Sequence, residues 1–446
     1  MLIQNKGRLR MNLDTLWKIV RKLDYTLSDT DVTDIAQDCL NKVQTESYNF
    51  ATVNRELFTQ GKKKRDIYSF DTLSAENIIC HYIKKQVDKV FKIKYASRSK
   101  IINGLFNTLP VIKDMNDFVV IRADFKSFFD SVLTKHVYDK YIRCSMLPRG
   151  DKDILEQYIS QFKYCYAGLC MSNGMTEIVC RDFDKHMRAK LEKYGVFFYE
   201  RYVDDMLIML NSYIPKDAFI EIAEETIAEV FGECPVRLNK SNDKFSYVSM
   251  RNIQPTQTFN FLGYEFKILV NAGKLSFEYG IAEKKRKKYE NIIERAFINY
   301  RDTGNEELLR QRIKLFSSRV VIARALVNTS FDWLTKGIVA NYNELQFHTD
   351  AMIAETEYFL QRLYYDLLRK HNLKRPYFIP KVDTECSIYN LYHNMGRNRT
   401  LVFEKNIGIP EETILRWIRK IDPLYSEVGK DYYRIVIEYL ELLKIE

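Results

Sequence analysis

Short apolar runs and helical stripes alternate along the chain in an order that predicts a mixed fold. Residues 13–60 read as helices, with Ser28 and Asp29 offering N-caps ahead of a stretch that includes Val32, Ile35, Ala36 and Leu40. The basic run Lys62-Lys63-Lys64-Arg65 precedes a short apolar stretch through Ile67, Tyr68 and Phe70, and a helix is predicted over 75–90. From about residue 116 the texture becomes α/β. Phe118-Val119-Val120-Ile121-Arg122-Ala123 has the length of a buried strand, as do Val196-Phe197-Phe198-Tyr199 and Met206-Leu207-Ile208-Met209-Leu210. Helical stretches fill 134–145, 151–163 and 175–193. After 282 the pattern is helical almost to the end. There Tyr289, Ile292, Ile293, Ala296, Phe297 and Tyr300 fall at i, i+3, i+4, i+7, i+8 and i+11, one face of a helix. The change of texture sets a boundary near Ile281.

Composition narrows the classes. The 446 residues are 46% hydrophobic and 29% charged, enough to bury a sizeable core and too apolar for global disorder. That length predicts about two or three domains. No apolar run approaches the roughly 18–20 residues of a membrane span. Met1 to Arg10 carries no apolar core of a secretory signal, so a cytoplasmic location is expected. The eight cysteines form no Cys-x-x-Cys pair and read as free thiols. The six histidines are scattered, so a catalytic metal would be held mainly by carboxylates. Lys+Arg of 69 against Asp+Glu of 59 leaves +10, which favours an anionic partner without naming it.

The chemistry concentrates in Tyr202-Val203-Asp204-Asp205. Two adjacent carboxylates between two apolar runs read as the tip of a β-hairpin. Like charges on apolar flanks are costly unless a cation neutralises them, and the natural choice is a hard, oxygen-seeking ion such as Mg²⁺. Asp124 ends the first strand, 204 − 124 = 80 residues earlier, so pairing of the two tips has to be tertiary. Three carboxylates converging from strand ends can hold two metal ions for nucleotidyl transfer.

These segments resemble the palm motifs of reverse transcriptases, over about residues 60–270 and in the family's order. Asp124-Phe125-Lys126-Ser127-Phe128-Phe129-Asp130-Ser131 looks like motif A and Tyr202-Val203-Asp204-Asp205 like motif C. Gly168-Leu169-Cys170-Met171-Ser172-Asn173-Gly174-Met175-Thr176 stands where motif B belongs, Leu238-Asn239 with Lys244 resembles motif D, and Phe261-Leu262-Gly263-Tyr264 resembles motif E. The resemblance implies that Asp124, Asp204 and Asp205 hold two Mg²⁺ ions, with Mn²⁺ as a substitute. It implies a nucleotide site at Lys63, Arg65, Phe125, Phe129 and Thr176, with Phe129 as the steric gate that favours dNTPs. It also implies Lys244 as a general acid and Phe261, Leu262, Gly263 and Tyr264 as the primer grip. Cys170, Met171 and Ser172 replace the family's usual Pro-x-Gly, a departure that bears on template handling and leaves the metal ligands untouched.

The implied fold is α+β, a right-hand polymerase. Residues 1–115 would form an N-terminal helical region and fingers, 116–281 the palm with part of the fingers, and 282–446 a helical thumb-like domain. Tyr95-Ala96-Ser97-Arg98-Ser99-Lys100-Ile101-Ile102 and Arg122 to Phe129 look most like bacterial defence-associated members of the abortive-infection and unknown-group lineage. That implies an RNA-directed DNA polymerase acting against phage, with a co-encoded structured non-coding RNA as template and DNA as product. A partner protein or a homo-oligomer is also implied. The alternatives are template-independent or protein-primed synthesis, a retron-type enzyme, and an RNA-binding toxin with a vestigial palm. For protein priming, Tyr425, Tyr432, Tyr433 and Tyr439 offer hydroxyls. Glu283 followed by Lys284, Lys285, Arg286, Lys287 and Lys288 offers a basic helix start that can track a phosphate backbone.

Overall fold

The computed structural model describes residues 11–60, 63–325 and 331–444. The chain divides between Ile253 and Gln254 into two compact units, Met1–Ile253 and Gln254–Glu446. The pattern change at Ile281 therefore falls inside the second unit, because the strands before it pack against helices after it.

The first unit opens on helices. Asn12 caps α1 (Leu13–Leu23) by accepting from the Thr15 N–H at 2.9 Å. Ser28 and Asp31 form a reciprocal capping box at the start of α2 (Asp29–Gln44), which buries Val32, Ala36, Cys39 and Val43 at helical spacing. The helical reading of 13–60 fails over its last residues. β1 (Asn54–Gln60) and β2 (Lys63–Ser69) form an antiparallel hairpin with Gln60 opposite Lys63. The two large apolar residues of β1, Leu57 and Phe58, are 58% and 52% exposed, so no in–out alternation marks that strand. Ser74 caps α3 (Ala75–Val90), and α4 (Arg98–Thr108) begins from its cap at Ser97.

β3 (Val119–Asp124) has every residue buried, which explains its mostly apolar reading. After it come α5 (Thr134–Val137) with one π-helical turn over Tyr138–Ile142, then α6 (Arg149–Gln161) and the long α7 (Cys170–Leu191). β4 (Val196–Tyr202), β5 (Asp205–Leu210), α8 (Lys216–Phe231) and β6 (Ser246–Ser249) complete the unit. The sheet is antiparallel with order β4-β5-β3-β6, so β3 and β5 occupy its centre. One apolar core joins the sheet to α3, α7 and α8 through Ile79, Tyr82, Phe183 and Phe231.

The second unit begins with a meander of β7 (Thr256–Phe261), β8 (Tyr264–Asn271) and β9 (Lys274–Ile281). Its turns, Leu262-Gly263 and Ala272-Gly273, have φ values of 48° and 88°, and of 49° and 77°. Two consecutive left-handed residues match the right-handed strand twist, and a glycine in the second place reduces their cost. α9 (Glu283–Thr303) buries Ile293, Ala296 and Phe297 of the stripe read from sequence. The remaining elements are α10 (Glu306–Phe316), β10 (Arg319–Ala325), β11 (Phe331–Lys336), α11 (Ile338–Asn341), α12 (Ala354–Lys370), α13 (Leu391–Gly396), β12 (Thr400–Phe403), α14 (Glu411–Ile421) and α15 (Tyr432–Leu442). The three strands β10, β11 and β12 thus interrupt the mostly helical reading of 282–446. β10 pairs antiparallel with β11 and parallel with β12, in the order β11-β10-β12. β12 has four residues, and it joins Arg319 to Thr400 across the intervening helices, so no local pattern announces it. Among the described residues no helix is long and apolar enough to cross a membrane.

Candidate active site

The β4–β5 hairpin of the first unit presents the paired carboxylates. Tyr202 lies opposite Asp205 at the end of β4 and β5, leaving Val203 and Asp204 as the turn. Val203 has φ of 60°, a left-handed conformation that a β-branched residue adopts only when held there. Arg201 holds it, its Nη1 donating to the Val203 carbonyl at 2.9 Å. In the neighbouring pair of strands Asp124 lies directly opposite Asp205. Cross-strand partners are close enough to touch, so all three carboxylates gather at one end of the sheet.

Two cations face them. Arg122 grips Asp205 with both arms of its fork, Nε to Oδ1 at 2.9 Å and Nη2 to Oδ2 at 3.2 Å, and donates from Nη1 to the Asp243 carbonyl at 2.9 Å. Lys244 donates to Asp124 Oδ2. The segment carrying Lys244 runs beside the loop after β3. Leu238 bridges to Phe125, the Asn239 N–H donates to the Asp124 carbonyl at 2.8 Å, and the Lys126 N–H donates to the Arg237 carbonyl at 2.9 Å. Burial pushes the Asp124 carboxyl up to about 6, with Asp204 and Asp205 adding to the rise and Lys244 opposing it. Burial also raises Asp204, again against Lys244.

The donor chemistry fits a hard divalent cation, since buried carboxylates whose charges repel gain from one. Their conformation does not yet surround an ion. Among the described residues no group of three or more His, Cys, Asp or Glu is arranged to hold a metal, because Asp124 and Asp205 are turned onto Lys244 and Arg122. Metal binding at these residues would exchange those partners.

The residues read as a nucleotide site fare differently from one another. The Arg65 guanidinium from β2 lies over the Phe129 ring at 5.5 Å from its centroid, and its charge reaches Asp204 and Asp130. Phe125 is buried, stacked on Phe128 at 4.9 Å and edge-on to Phe183 and Phe231, so its side chain belongs to the core. The Thr176 hydroxyl is buried and donates to the Ser172 carbonyl at 2.8 Å within α7. Lys63 begins β2, and its side chain lies outside the described residues, as does all of Lys62. Gly168 has φ of 98° where the chain turns into α7, and the Tyr68 N–H donates to the adjacent Ala167 carbonyl at 2.9 Å.

Phe261, Leu262, Gly263 and Tyr264 lie in the second unit as the β7–β8 turn and its flanks. Phe261 and Tyr264 are buried there, and the Tyr264 hydroxyl donates to Glu344. In the basic start of α9, Arg286 turns inward onto Glu265 at 3.1 Å and is structural, while Lys287 pairs with Glu283 at the surface. Tyr425, Tyr432 and Tyr439 donate their hydroxyls to Glu438, the Ile409 carbonyl and Gln311.

Sequence reasoning assigned no role to two arginines that organise the carboxylates. Arg122 shares a face of β3 with Asp124 by strand parity, and that parity was the available signal. Arg201 is 7% exposed and shares a face of β4 with Tyr199. It donates from Nε to Asp184 at 3.0 Å and from Nη2 to Glu177 at 2.9 Å, tying α7 to the carboxylate turn. Its acids are seven residues apart on α7, i and i+7, two helical turns along one face.

No family model matches the chain, and no curated protein matches it. Among solved structures it is similar to apo telomerase from Candida tropicalis, truncated from the C-terminal domain, with TM-score 0.34 and 10% identity over 53% of this chain and 58% of that one. It is also similar to telomerase from Candida albicans in complex with a telomeric RNA fragment, with TM-score 0.36 and 12% identity over 87% of this chain and 58% of that one. The chain therefore spans less than two thirds of either neighbour, and at these scores neither supplies a residue-by-residue correspondence.

Proposed function

We propose that the chain is an RNA-directed DNA polymerase, with Asp124, Asp204 and Asp205 as the ligands of two Mg²⁺ ions. The observation that carries this reading is the register of β3 and β5, which sets Asp124 opposite Asp205 beside a turn that presents Asp204. The ions, when bound, supply Lewis-acid stabilisation of an in-line nucleotidyl transfer. Arg65 offers a guanidinium for the triphosphate, and its stacking on Phe129 holds the two together as clamp and gate. The Phe129 ring would exclude a ribose 2′-hydroxyl. Lys244 donates from Nζ to Asp124, and that side chain is the candidate proton donor to the departing pyrophosphate.

The same reading makes the hairpin of β1 and β2 part of the fingers, the four-stranded sheet the palm and the region from 282 onward a thumb. Its setting is bacterial anti-phage defence with a structured non-coding RNA as template. The support for that setting is the likeness of residues 95–102 and 122–129 to the defence-associated lineage. Purified chain is supplied with its cognate RNA, dNTPs and Mg²⁺, and the DNA product is sequenced. A complement of an RNA segment is the expected result. A homopolymer or simple repeat without an RNA match would replace templated synthesis by the untemplated alternative.

A further inference from the structure

The second unit contains a group of cations with almost no acid to match it. Arg310 and Lys314 lie four residues apart on α10, hence on one face. Arg319 opens β10, and its N–H donates at 2.7 Å to the carbonyl of Arg399, the residue before β12. Lys314 is only 6% exposed, although an ammonium is among the groups least often buried without a partner. Its Nζ sits against the Trp417 ring of α14, 2.9 Å from the centroid, and no carboxylate among the described residues pairs with it. Burial pushes its amine down to about 7, with Arg310, Arg399 and Arg416 pushing the same way and Glu307 alone opposing.

The guanidinium groups point the same way independently. The Nε atoms of Arg310, Arg319 and Arg399 are buried and make no hydrogen bond among the described residues. Arg319 and Arg399 have no ion-pair partner there either. Arg310 Nε lies 3.0 Å from Glu307 Oε2 without hydrogen-bond alignment, while its Nη1 donates to the Tyr377 hydroxyl at 3.1 Å. Glu307 is already occupied, accepting from Gln311 Nε2 at 2.6 Å. Buried donors are nearly always satisfied, so the open Nε atoms of Arg319 and Arg399, residues joined through the Arg319 N–H and the Arg399 carbonyl, call for an acceptor that the described residues do not provide. Several forked donors around an ammonium suit a phosphate group, whose oxygens accept from many directions and whose charge balances the cluster.

We propose that Arg310, Lys314, Arg319 and Arg399 form a phosphate-binding site in the second unit, with Arg416 at its exposed edge. The site is separate from the carboxylates of the first unit and does not depend on the polymerase reading. Its ligand is the phosphate of a nucleic-acid backbone or of a free nucleotide, the two sources of the same chemistry.

The test is calorimetric titration of the full chain with inorganic phosphate at constant ionic strength. Wild type should bind, and Lys314→Met and Arg399→Gln should each bind about tenfold more weakly or worse. Melting in phosphate-free buffer checks folding. Lys314→Met should melt no lower than wild type, since it discards an unpaired buried charge. Displacement of phosphate from wild type by a short single-stranded DNA, or by dATP, supports the site and identifies its source. Phosphate binding that is absent in wild type, or unchanged in both folded variants, overturns the proposal.

Discussion

Arg201 offers a quantitative test of how the carboxylate turn is held. Its side chain is 5% exposed and faces two acids, Glu177 and Asp184, whose side chains are 17% and 22% exposed. Nε lies 3.0 Å from both Asp184 oxygens, Nη2 lies 2.9 Å from Asp184 Oδ2 and from Glu177 Oε1, and Nη1 reaches Glu177 Oε2 at 3.1 Å and the Val203 carbonyl at 2.9 Å. Arg201→Met keeps the stem and leaves both acids without their cation. Removing one side of a buried pair costs about 3–5 kcal/mol. Both acids keep some contact with water, so we expect the lower end, about 3 kcal/mol. The assay is urea denaturation monitored by Trp17 fluorescence in a Trp333→Phe/Trp417→Phe background, which leaves one reporter, in the first unit. The midpoint should fall with the slope unchanged. Glu177→Gln/Asp184→Asn added to Arg201→Met should recover more than half of the loss, because no unpaired charge is left. A loss below about 1 kcal/mol for Arg201→Met would refute the claim that this network holds the turn.

Three further outcomes rest on named contacts. Gly168→Ala forces a side chain onto a residue at φ of 98°, with its Cβ 2.3 Å from the Tyr68 carbonyl oxygen; the melting temperature should drop by the equivalent of about 3 kcal/mol, and an unchanged melt would deny the close approach of β2 to this loop. Phe129→Ala should raise ribonucleotide over deoxynucleotide use, as a ratio of kcat/KM, by about tenfold or more, and an unchanged ratio would remove Phe129 as the gate. Lys314 loses its proton near pH 7 when folded and near its ordinary 10.5 when unfolded. Between those values the unfolded chain binds the extra proton, so stability in phosphate-free buffer should rise from pH 7 to 9, by about 1.4 kcal/mol per pH unit from this group, and Lys314→Met should remove that part of the slope.

The central strands β3 and β5 were legible because burial on both faces leaves a mostly apolar run. β3 has all six residues buried, and β5 has every residue after Asp205 buried. Asp204-Asp205 stood out for the converse reason, as charge between two such runs. The strands that escaped notice lack those signals. Exposed Leu57 and Phe58 give β1 no inner face, and β12 is four residues long with its partner β10 far away in sequence. Arg122 and Arg201 escaped because a buried arginine looks like any charged residue until its acids are found. Those acids lie across the sheet at Asp205 and on α7 at Glu177 and Asp184. The boundary near Ile281 marks the change from strand to helix texture. The units divide at Ile253 instead, because the β7–β9 meander packs on later helical segments, with Tyr279 bridged to Met352 and Tyr264 bonded to Glu344.

The central claim is that the three carboxylates carry DNA synthesis. Its most direct test is primer extension on an RNA template by the purified chain with dNTPs and Mg²⁺, comparing wild type with Asp204→Asn. Burial disfavours the charge of Asp204, so the variant should melt no lower than wild type and any loss is chemical. We predict extension by wild type and a fall of about a thousandfold or more in the folded variant. Extension at the wild-type rate by folded Asp204→Asn would contradict the assignment.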